Sequence, residues 1–163
     1  MNTTTTLTSM LNTQIQKEFE SAYIYLGFAA FFDMKGLAGF GEWYKQQAKE
    51  EEEHAMKIYD YLCKVNQPVE LMPIGAPKNK PETISQALKQ SLEHEEYVTN
   101  LITTLYFQAE KEKNLFAKNF LNWFINEQLE EEQKAKELID KYKMFGSTPE
   151  GLYALDKELG GRQ

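Results

Sequence analysis

Apolar residues recur every three to four positions along most of the chain, and proline and glycine interrupt this repeat at only a few places. The spacing is that of amphipathic helices, and it predicts four long ones at about 7–35, 41–65, 82–112 and 114–145. A shorter apolar repeat from about Pro149 to Leu159 predicts a fifth helix, which is too short to be stable alone. Thr8 or Ser9 is expected to cap the first helix, and Gly146 to end the fourth.

The segment 66–82 breaks the repeat because it is rich in residues that do not continue a helix. These residues are Pro68, Pro73, Pro77, Pro81 and Gly75. They favour an extended run, which at ~3.3 Å per residue spans most of the length of a ~27-residue helix. Three glycines, Gly36, Gly39 and Gly41, mark a short turn that makes the first two helices antiparallel neighbours. The sequence therefore predicts an all-α fold, an antiparallel four-helix bundle with one long crossover and a short C-terminal fifth helix.

Composition narrows the class of protein further. A chain of 163 residues with 42% hydrophobic residues fits one soluble domain over residues 1–163. The formal net charge of -7 argues against nucleic acid as a partner, and no apolar run is long enough to predict a membrane span. Cys63 is the single cysteine and is expected to be a structural thiol. The first residues lack the basic and apolar regions of a signal peptide, so a cytoplasmic protein is expected.

Each long helix carries one glutamate in the middle of its apolar face. These glutamates are Glu18, Glu51, Glu95 and Glu131, and His54 lies one turn after Glu51 on the same face. Taken singly, each would be expected to reach solvent along its methylene stem. Four mid-helix positions make that arrangement difficult, and burying an unpaired carboxylate costs several kcal/mol. The four must therefore be protonated, paired with cations or bound to metal.

Metal ions explain the set better than protein cations do. Only Lys134 lies near an inward face, and His54 supplies at most one charge, whereas two divalent ions would balance four carboxylates. Carboxylates with one imidazole suit iron or manganese and tolerate zinc. Four-helix bundles that bind two metal ions often carry Glu-x-x-His on each of two helices. Glu51 and His54 form one such motif, but Lys134 replaces the histidine of the second motif, which begins at Glu131. The two ion positions are therefore expected to be unequal. The first would have Glu18, Glu51 and His54, and the second Glu51, Glu95 and Glu131, with Gln128 assisting it or orienting a water molecule.

Beyond this set, the sequence resembles the bacterial non-haem ferritins from about Asn12 to Leu159. The most telling stretches are Lys17-Glu18 with Tyr25, Glu50-Glu51 with His54, His94-Glu95, Phe120-Leu121-Asn122-Trp123, Glu127-Gln128 with Glu130-Glu131-Glu132, and Gly151-Leu152-Tyr153 with Asp156-Lys157-Glu158-Leu159. The resemblance implies an iron-storage ferritin, a ferroxidase that oxidises Fe2+ to Fe3+ with O2 or H2O2. It also implies a ferric mineral inside a hollow shell of twenty-four subunits.

The resemblance also implies roles for individual residues. Glu18, Glu51 and His54 would bind the first iron, and Glu51, Glu95 and Glu131 the second, with Gln128 beside them. A third, weaker iron position would use Glu50, Glu127 and Glu130 and share Glu131. Tyr25 and Trp123 would lie near the centre and donate electrons or hydrogen bonds. Leu129 departs from the histidine that the family often has, and Glu52 stands where the haem-binding bacterioferritins have methionine, so no haem is expected.

The sequence alone leaves open two other functions, the role of His94 and the position of the fifth helix. The bundle could be a scaffold whose glutamates form buried ion pairs, or a small di-metal oxidase acting on another substrate or on peroxide. His94 adjoins Glu95 but turns about 100° away from the core, so an exposed or hydrogen-bonded histidine is favoured over a ligand. The resemblance places the fifth helix at four-fold contacts of the shell, and its alternative is a tail docked on its own bundle.

Overall fold

The computed structural model describes residues 6–161, and these residues form five helices and no strand. The helices are α1 Leu7–Met34, α2 Ala38–Lys64, α3 Ile84–Lys111, α4 Leu115–Phe145 and α5 Pro149–Gly160. The predicted all-α bundle with a short fifth helix is confirmed. None of the described helices is long and apolar enough to cross a membrane. The prediction that the chain lacks a signal peptide concerns its first residues, and residues 1–5 lie outside the described part.

Threonine and asparagine side chains cap four of the five helices. Thr6 accepts a hydrogen bond from the backbone N–H of Ser9 and begins α1. The prediction of Thr8 or Ser9 as the cap was wrong, because the helix starts at the first apolar residue of the repeat and includes both. Caps of the same kind begin α3, α4 and α5, at Thr83, Asn114 and Thr148. Such a side chain satisfies a backbone donor that has no partner inside the helix.

The start of α2 differs from the prediction by three residues, because only one of the three glycines belongs to a turn. Gly36 has a left-handed φ of 75°, which glycine adopts without strain. Gly39 and Gly41 lie inside α2, where they allow other groups to approach the backbone. A Cβ at Gly39 would lie 1.6 Å from the carbonyl oxygen of Asp156, and one at Gly41 2.1 Å from Asp33 Oδ1.

The long helices pack as two hairpins, α1 with α2 and α3 with α4, and α1 also packs against α3. An extended segment over 67–81 joins the hairpins, which confirms the predicted crossover. The Asn12 side chain holds this segment against α1: its amide N–H donates to the carbonyl of Pro68 at 2.9 Å, and its oxygen accepts from the N–H of Glu70 at 2.7 Å. The crossover is therefore fixed to the bundle by backbone groups that an extended chain leaves free.

Two hydrophobic clusters fill the bundle, one on each side of a layer of polar residues. The aromatic cluster includes Phe28, Phe32, Phe40, Tyr44, Leu155 and Leu159. The aliphatic cluster includes Leu11, Ile15, Ile58, Leu62, Ile102 and Leu105. The polar layer comprises Glu18, Glu51, His54, Glu95, Gln128 and Glu131, all of them buried. On each long helix these polar residues fall between the stretches that enter the two clusters, so the layer crosses the bundle at mid-length.

The fifth helix docks on its own bundle. Leu155 and Leu159 are 3% and 6% exposed and belong to the aromatic cluster. Asp156 Oδ1 accepts a hydrogen bond from the N–H of Phe40 at 2.9 Å, in the first turn of α2, whose own cap residue Leu37 offers no side-chain bond. A carboxylate at a helix N-terminus is also favoured by the helix dipole. Docking of α5 leaves Tyr153 63% exposed.

Candidate metal centre

The polar layer brings the four mid-helix glutamates and His54 together in the interior. Glu18, Glu51 and Glu131 are each 1% exposed, Glu95 is 2% exposed, and His54 is 4% exposed. The inward placement predicted for these five residues is confirmed, and the expectation for a single glutamate, a side chain that reaches solvent, is wrong here. Each of the four long helices contributes at least one of these side chains.

Glu18 and Glu51 approach His54 to form the first group of ligand atoms. One atom from each of the three residues lies within 4.8 Å of the others, and His54 Nδ1 is 3.4 Å from Glu51 Oε2 and 3.9 Å from Glu18 Oε2. Within residues 6–161, Glu18 Oε2, Glu51 Oε1 and His54 Nδ1 have no hydrogen-bond partner. Buried polar atoms are rarely left in this state. The three atoms belong to the three side chains that can each offer one ligand atom within 4.8 Å of the others, which is the arrangement that a cation needs.

Glu95 and Glu131 join Glu51 in a second group, which lies within the same 4.8 Å limit. Their oxygens accept hydrogen bonds from protein donors. The Tyr25 hydroxyl donates to Glu95 Oε1, and Gln128 Nε2 donates to Glu95 Oε2 at 3.2 Å. Gln47 Nε2 donates to Glu131 Oε2 at 2.8 Å, and the Lys134 ammonium donates to Glu131 Oε1 at 2.9 Å. The two groups are thus unequal, because Glu95 and Glu131 of the second group already have protein donors, whereas Glu51, which belongs to both groups, keeps one oxygen without a partner in the described chain.

Burial and mutual repulsion favour the neutral forms of two of these carboxyl groups. Desolvation, followed by the charge of Glu95, raises the pKa of Glu51 well above its usual range. Desolvation, followed by the charge of Glu131, raises the pKa of Glu95 to about 8. Desolvation also lowers the pKa of His94 to about 4, so that this imidazole stays neutral at neutral pH. Perturbations of this kind are typical of functional sites.

The residues expected at a third position are less closely gathered. Glu127 is half-buried, with Oε1 3.6 Å from His54 Nε2, and it can share a group with His54 and Glu131. Glu50 is half-buried and accepts a hydrogen bond from Lys134 at 3.2 Å. Glu130 is exposed, and its charge contributes to raising the pKa of Glu127, which desolvation raises most. The structure thus brings Glu127 to the polar layer and leaves Glu130 in solvent.

Aromatic rings surround the centre, as expected for Tyr25 and Trp123. The Tyr25 side chain is 1% exposed, and desolvation raises the pKa of its hydroxyl well above the usual range. Trp123 meets the His54 ring edge to face, with 5.5 Å between ring centroids, and is 37% exposed. The Lys57 ammonium lies over the Trp123 ring, 4.1 Å from its centroid. Tyr25 therefore acts within the polar layer, and Trp123 connects it to the surface.

Several polar partners of the centre were not found from the sequence. Gln14 donates to Glu18 at 2.7 Å, and Gln47 donates to Glu131. Each glutamine lies four residues before the inward glutamate of its own helix, and this shared spacing was a signal that could have revealed both. His94 shares a 2.7 Å hydrogen bond with Ser21, which agrees with the hydrogen-bonded histidine favoured over a ligand. Cys63 is exposed, and the expectation of a structural thiol rather than a nucleophile stays a prediction.

The donor set fits a hard or borderline divalent cation. It consists of carboxylate oxygens and one imidazole nitrogen, which suits iron, manganese or zinc. The three partnerless atoms of the first group are the observation that supports metal binding most strongly. The identity of each ligand and the number of ions stay predictions.

Comparison with known proteins agrees with the fold. Residues 8–145 match the Ferritin family, a ferritin-like domain. A bacterial non-heme ferritin from Staphylococcus haemolyticus is 38% identical over 156 residues, which cover 96% of this chain and 94% of that protein. The one from Staphylococcus aureus USA300 is 36% identical with the same coverage. The open pore ferritin of Archaeoglobus fulgidus superposes with a TM-score of 0.93 at 38% identity, covering 96% of both chains. This chain belongs to the ferritin family, and its curated relatives are bacterial non-heme ferritins.

Proposed function

We propose that this protein is an iron-storage ferritin with ferroxidase activity. Two Fe2+ ions enter the polar layer of each bundle, are oxidised to Fe3+ by O2 or H2O2, and pass to a ferric mineral inside a shell of twenty-four subunits. Membership of the ferritin family supports iron storage. The binding of metal ions, which the oxidation step requires, is supported by the ligand atoms of Glu18, Glu51 and His54 that have no hydrogen-bond partner within residues 6–161.

The two ion positions divide the ligands as the sequence predicts. Glu18, Glu51 and His54 would hold the first iron, and Glu51, Glu95 and Glu131 the second. Glu51 would therefore be a ligand common to both positions. Gln128 and Tyr25 hold Glu95 by hydrogen bonds, so they orient a ligand of the second position. A third position at Glu50, Glu127 and Glu130 stays a prediction, and so do the absence of haem and a cytoplasmic location.

Electrons and protons balance in this reaction. Two Fe2+ ions each lose one electron, and O2 accepts both electrons with two protons to become H2O2. If H2O2 is the oxidant, it accepts two electrons and two protons and yields two water molecules. Binding of the ions displaces the protons that burial holds on Glu51 and Glu95, because metal ligands must be deprotonated. An open coordination position on one iron lets the oxidant approach.

Aerobic addition of Fe2+ to metal-free protein tests the proposal. We expect saturable binding of two irons per chain, followed by a rise in ferric absorbance. A scaffold with buried ion pairs would show neither result. A small di-metal oxidase would oxidise iron but would have the solution mass of a monomer or dimer, which sedimentation or light scattering detects. A large hollow particle that retains iron after gel filtration would support storage over both alternatives.

A further inference from the structure

Lys134 lies beside the polar layer, and its ammonium stands between two glutamates. Nζ donates to Glu131 Oε1 at 2.9 Å and to Glu50 Oε2 at 3.2 Å. Glu131 belongs to α4 and Glu50 to α2, so the ammonium joins two helices as a bound metal ion would. Both glutamates are residues that the predicted third iron position requires.

The other two carboxylates of that predicted position accept no hydrogen bond from this ammonium among the contacts of residues 6–161. Glu127 faces His54 Nε2 at 3.6 Å, and Glu130 is exposed. Of the four carboxylates, two therefore hold Lys134, one faces the histidine and one lies in solvent. A positive charge is already present where a third ion would have to bind.

We propose that Lys134 is an internal cation that takes the place of the third ion. This inference rests on the proposed function. The ammonium competes with a divalent ion for Glu50 and Glu131, so the bundle binds two ions tightly and a third only after the ammonium has moved away. Lys134 is then a positioning residue that sets the number of ions per bundle.

The geometry keeps Lys134 away from the first position, and of the second position's proposed ligands the ammonium contacts only Glu131. Lys134 makes no hydrogen bond or ion pair with Glu18, Glu51 or His54 among the contacts of the described chain. The second oxygen of Glu131 accepts from Gln47, a neutral amide, so this glutamate also offers an oxygen that the ammonium does not occupy. The Lys134 side chain is 33% exposed, which gives the ammonium a route into solvent. Tethering to α4 keeps its local concentration high, whereas a free ion pays the cost of association.

Titration with Zn2+ measures this effect without any oxidation. Isothermal titration calorimetry of wild-type protein should show two tight ions per chain and a weak third. In Lys134→Met the third ion should bind roughly tenfold more tightly, which corresponds to loss of one partly buried competing charge. Lys136→Met is the matched control: it removes a lysine from the same helix, where the ammonium pairs with Glu132 at 3.2 Å and is 53% exposed. That variant should titrate like wild type.

Two further variants separate charge from packing. Lys134→Arg keeps the positive charge and should restore the wild-type titration, which a purely structural role of the side chain would not require. Glu127→Ala combined with Lys134→Met should remove the gained ion, because it deletes a ligand of that position. If Lys134→Met impairs folding, as judged by circular dichroism, Lys134→Gln tests the same loss of charge with a polar side chain.

An unchanged third affinity in the well-folded Lys134→Met or Lys134→Gln variant would overturn the inference. The inference would also be overturned if wild-type protein bound its third Zn2+ ion as tightly as these variants do. Failure of the proposed function has a different signature: wild-type protein would then lack the two tight ions, and their absence would not depend on Lys134.

Discussion

Glu51 occupies a special place among the buried glutamates, because it is shared by both proposed iron positions. Its neighbours in the first group are His54 and Glu18, and in the second Glu95 and Glu131. One of its oxygens has no hydrogen-bond partner within the described chain, and its pKa is raised by burial first and by neighbouring charges second. The residue therefore costs stability in the metal-free protein and acts as a ligand once ions are bound.

Replacing Glu51 by alanine is expected to abolish rapid iron oxidation and leave the bundle folded. The substitution removes the bridge between the ions, and the initial rate should fall by roughly a hundredfold or more. Relief of repulsion between buried carboxylates offsets part of the packing loss, so helicity and particle size should persist. Stopped-flow absorbance after Fe2+ addition measures the rate. Glu52→Ala, at an exposed neighbour, is the control, and a wild-type rate in Glu51→Ala would contradict the paired-ion proposal.

The raised pKa of Glu95, about 8 against an ordinary 4.5, makes the stability of metal-free protein depend on pH. Below pH 4.5, the Glu95 carboxyl is protonated in both the folded and the unfolded chain, and its contribution to the stability of the fold is fully present. Between the two values the unfolded chain has lost its proton while the folded chain retains it. Stability therefore falls as pH rises through this range.

Thermal unfolding of the metal-free protein should show this loss. We expect Tm to fall by roughly 5 °C between pH 5 and pH 8. In Glu95→Gln the fall should be smaller, because an amide does not ionise, whereas Glu96→Gln at an exposed position should behave as wild type. If Tm falls with pH equally steeply in Glu95→Gln and in wild type, Glu95 does not retain a proton in the folded state.

At the scale of helices, the period of the apolar residues was sufficient to locate all five and to place the inward glutamates. The period fixes which face of a helix is buried, so Glu18 and Glu131 could be assigned from their own neighbours. It does not fix how two helices are rotated against each other. The contact of Lys134 with Glu50 depends on that rotation and could not be predicted. The early start of α2 was not predicted, because Gly39 was interpreted as a turn residue. Its lack of a side chain instead allows α5, which is distant in sequence, to approach the backbone of α2.

The close approach at Gly39 makes the docking of α5 sensitive to a single methyl group. Gly39→Ala places a Cβ against the backbone of Asp156, where no flexible side chain can yield. We expect a loss of roughly 1–3 kcal/mol in the free energy of unfolding, seen as a lower Tm and as changed fluorescence of Trp43, which lies in the aromatic cluster with Leu155 and Leu159.

Gly27→Ala is the matched control for this prediction. Gly27 is also helical, but a Cβ there would meet Pro77 at 3.9 Å, an ordinary contact. Alanine favours helix over glycine, so this variant should be as stable as wild type or slightly more stable. If both variants behave alike, the contact between α5 and Gly39 does not limit stability.

For the whole molecule, α5 is the element that links the bundle to its proposed assembly. Two of its leucines are buried in the aromatic cluster, while Tyr153 stays 63% exposed and available to a neighbouring subunit. Docking on the bundle, which the sequence left as an alternative, is observed. The place of α5 at four-fold contacts stays a prediction.

A chain that ends at Phe145 is expected to fold but to assemble poorly. The four long helices retain the aliphatic cluster and the polar layer, so helical content should persist. The aromatic cluster loses Leu155 and Leu159, and stability should fall by several kcal/mol. Size-exclusion mass and the iron retained after mineralisation measure the outcome. A truncated protein that forms full-size particles and holds its mineral would limit α5 to its docking role.

The proposed ligands of the two ions lie on different helices, so binding of the first ion and binding of the second should stiffen different parts of the bundle. The first proposed iron position would draw only on α1 and α2, within one hairpin, whereas the second would draw on α2, α3 and α4 and span both hairpins. The first ion can therefore clamp one hairpin while the other still opens, and the second ion couples them. Hydrogen exchange at one equivalent of Zn2+ should slow in α1 and α2 alone, and at two equivalents in all four helices. Glu95→Ala should keep α3 and α4 at the metal-free exchange rate however much Zn2+ is added.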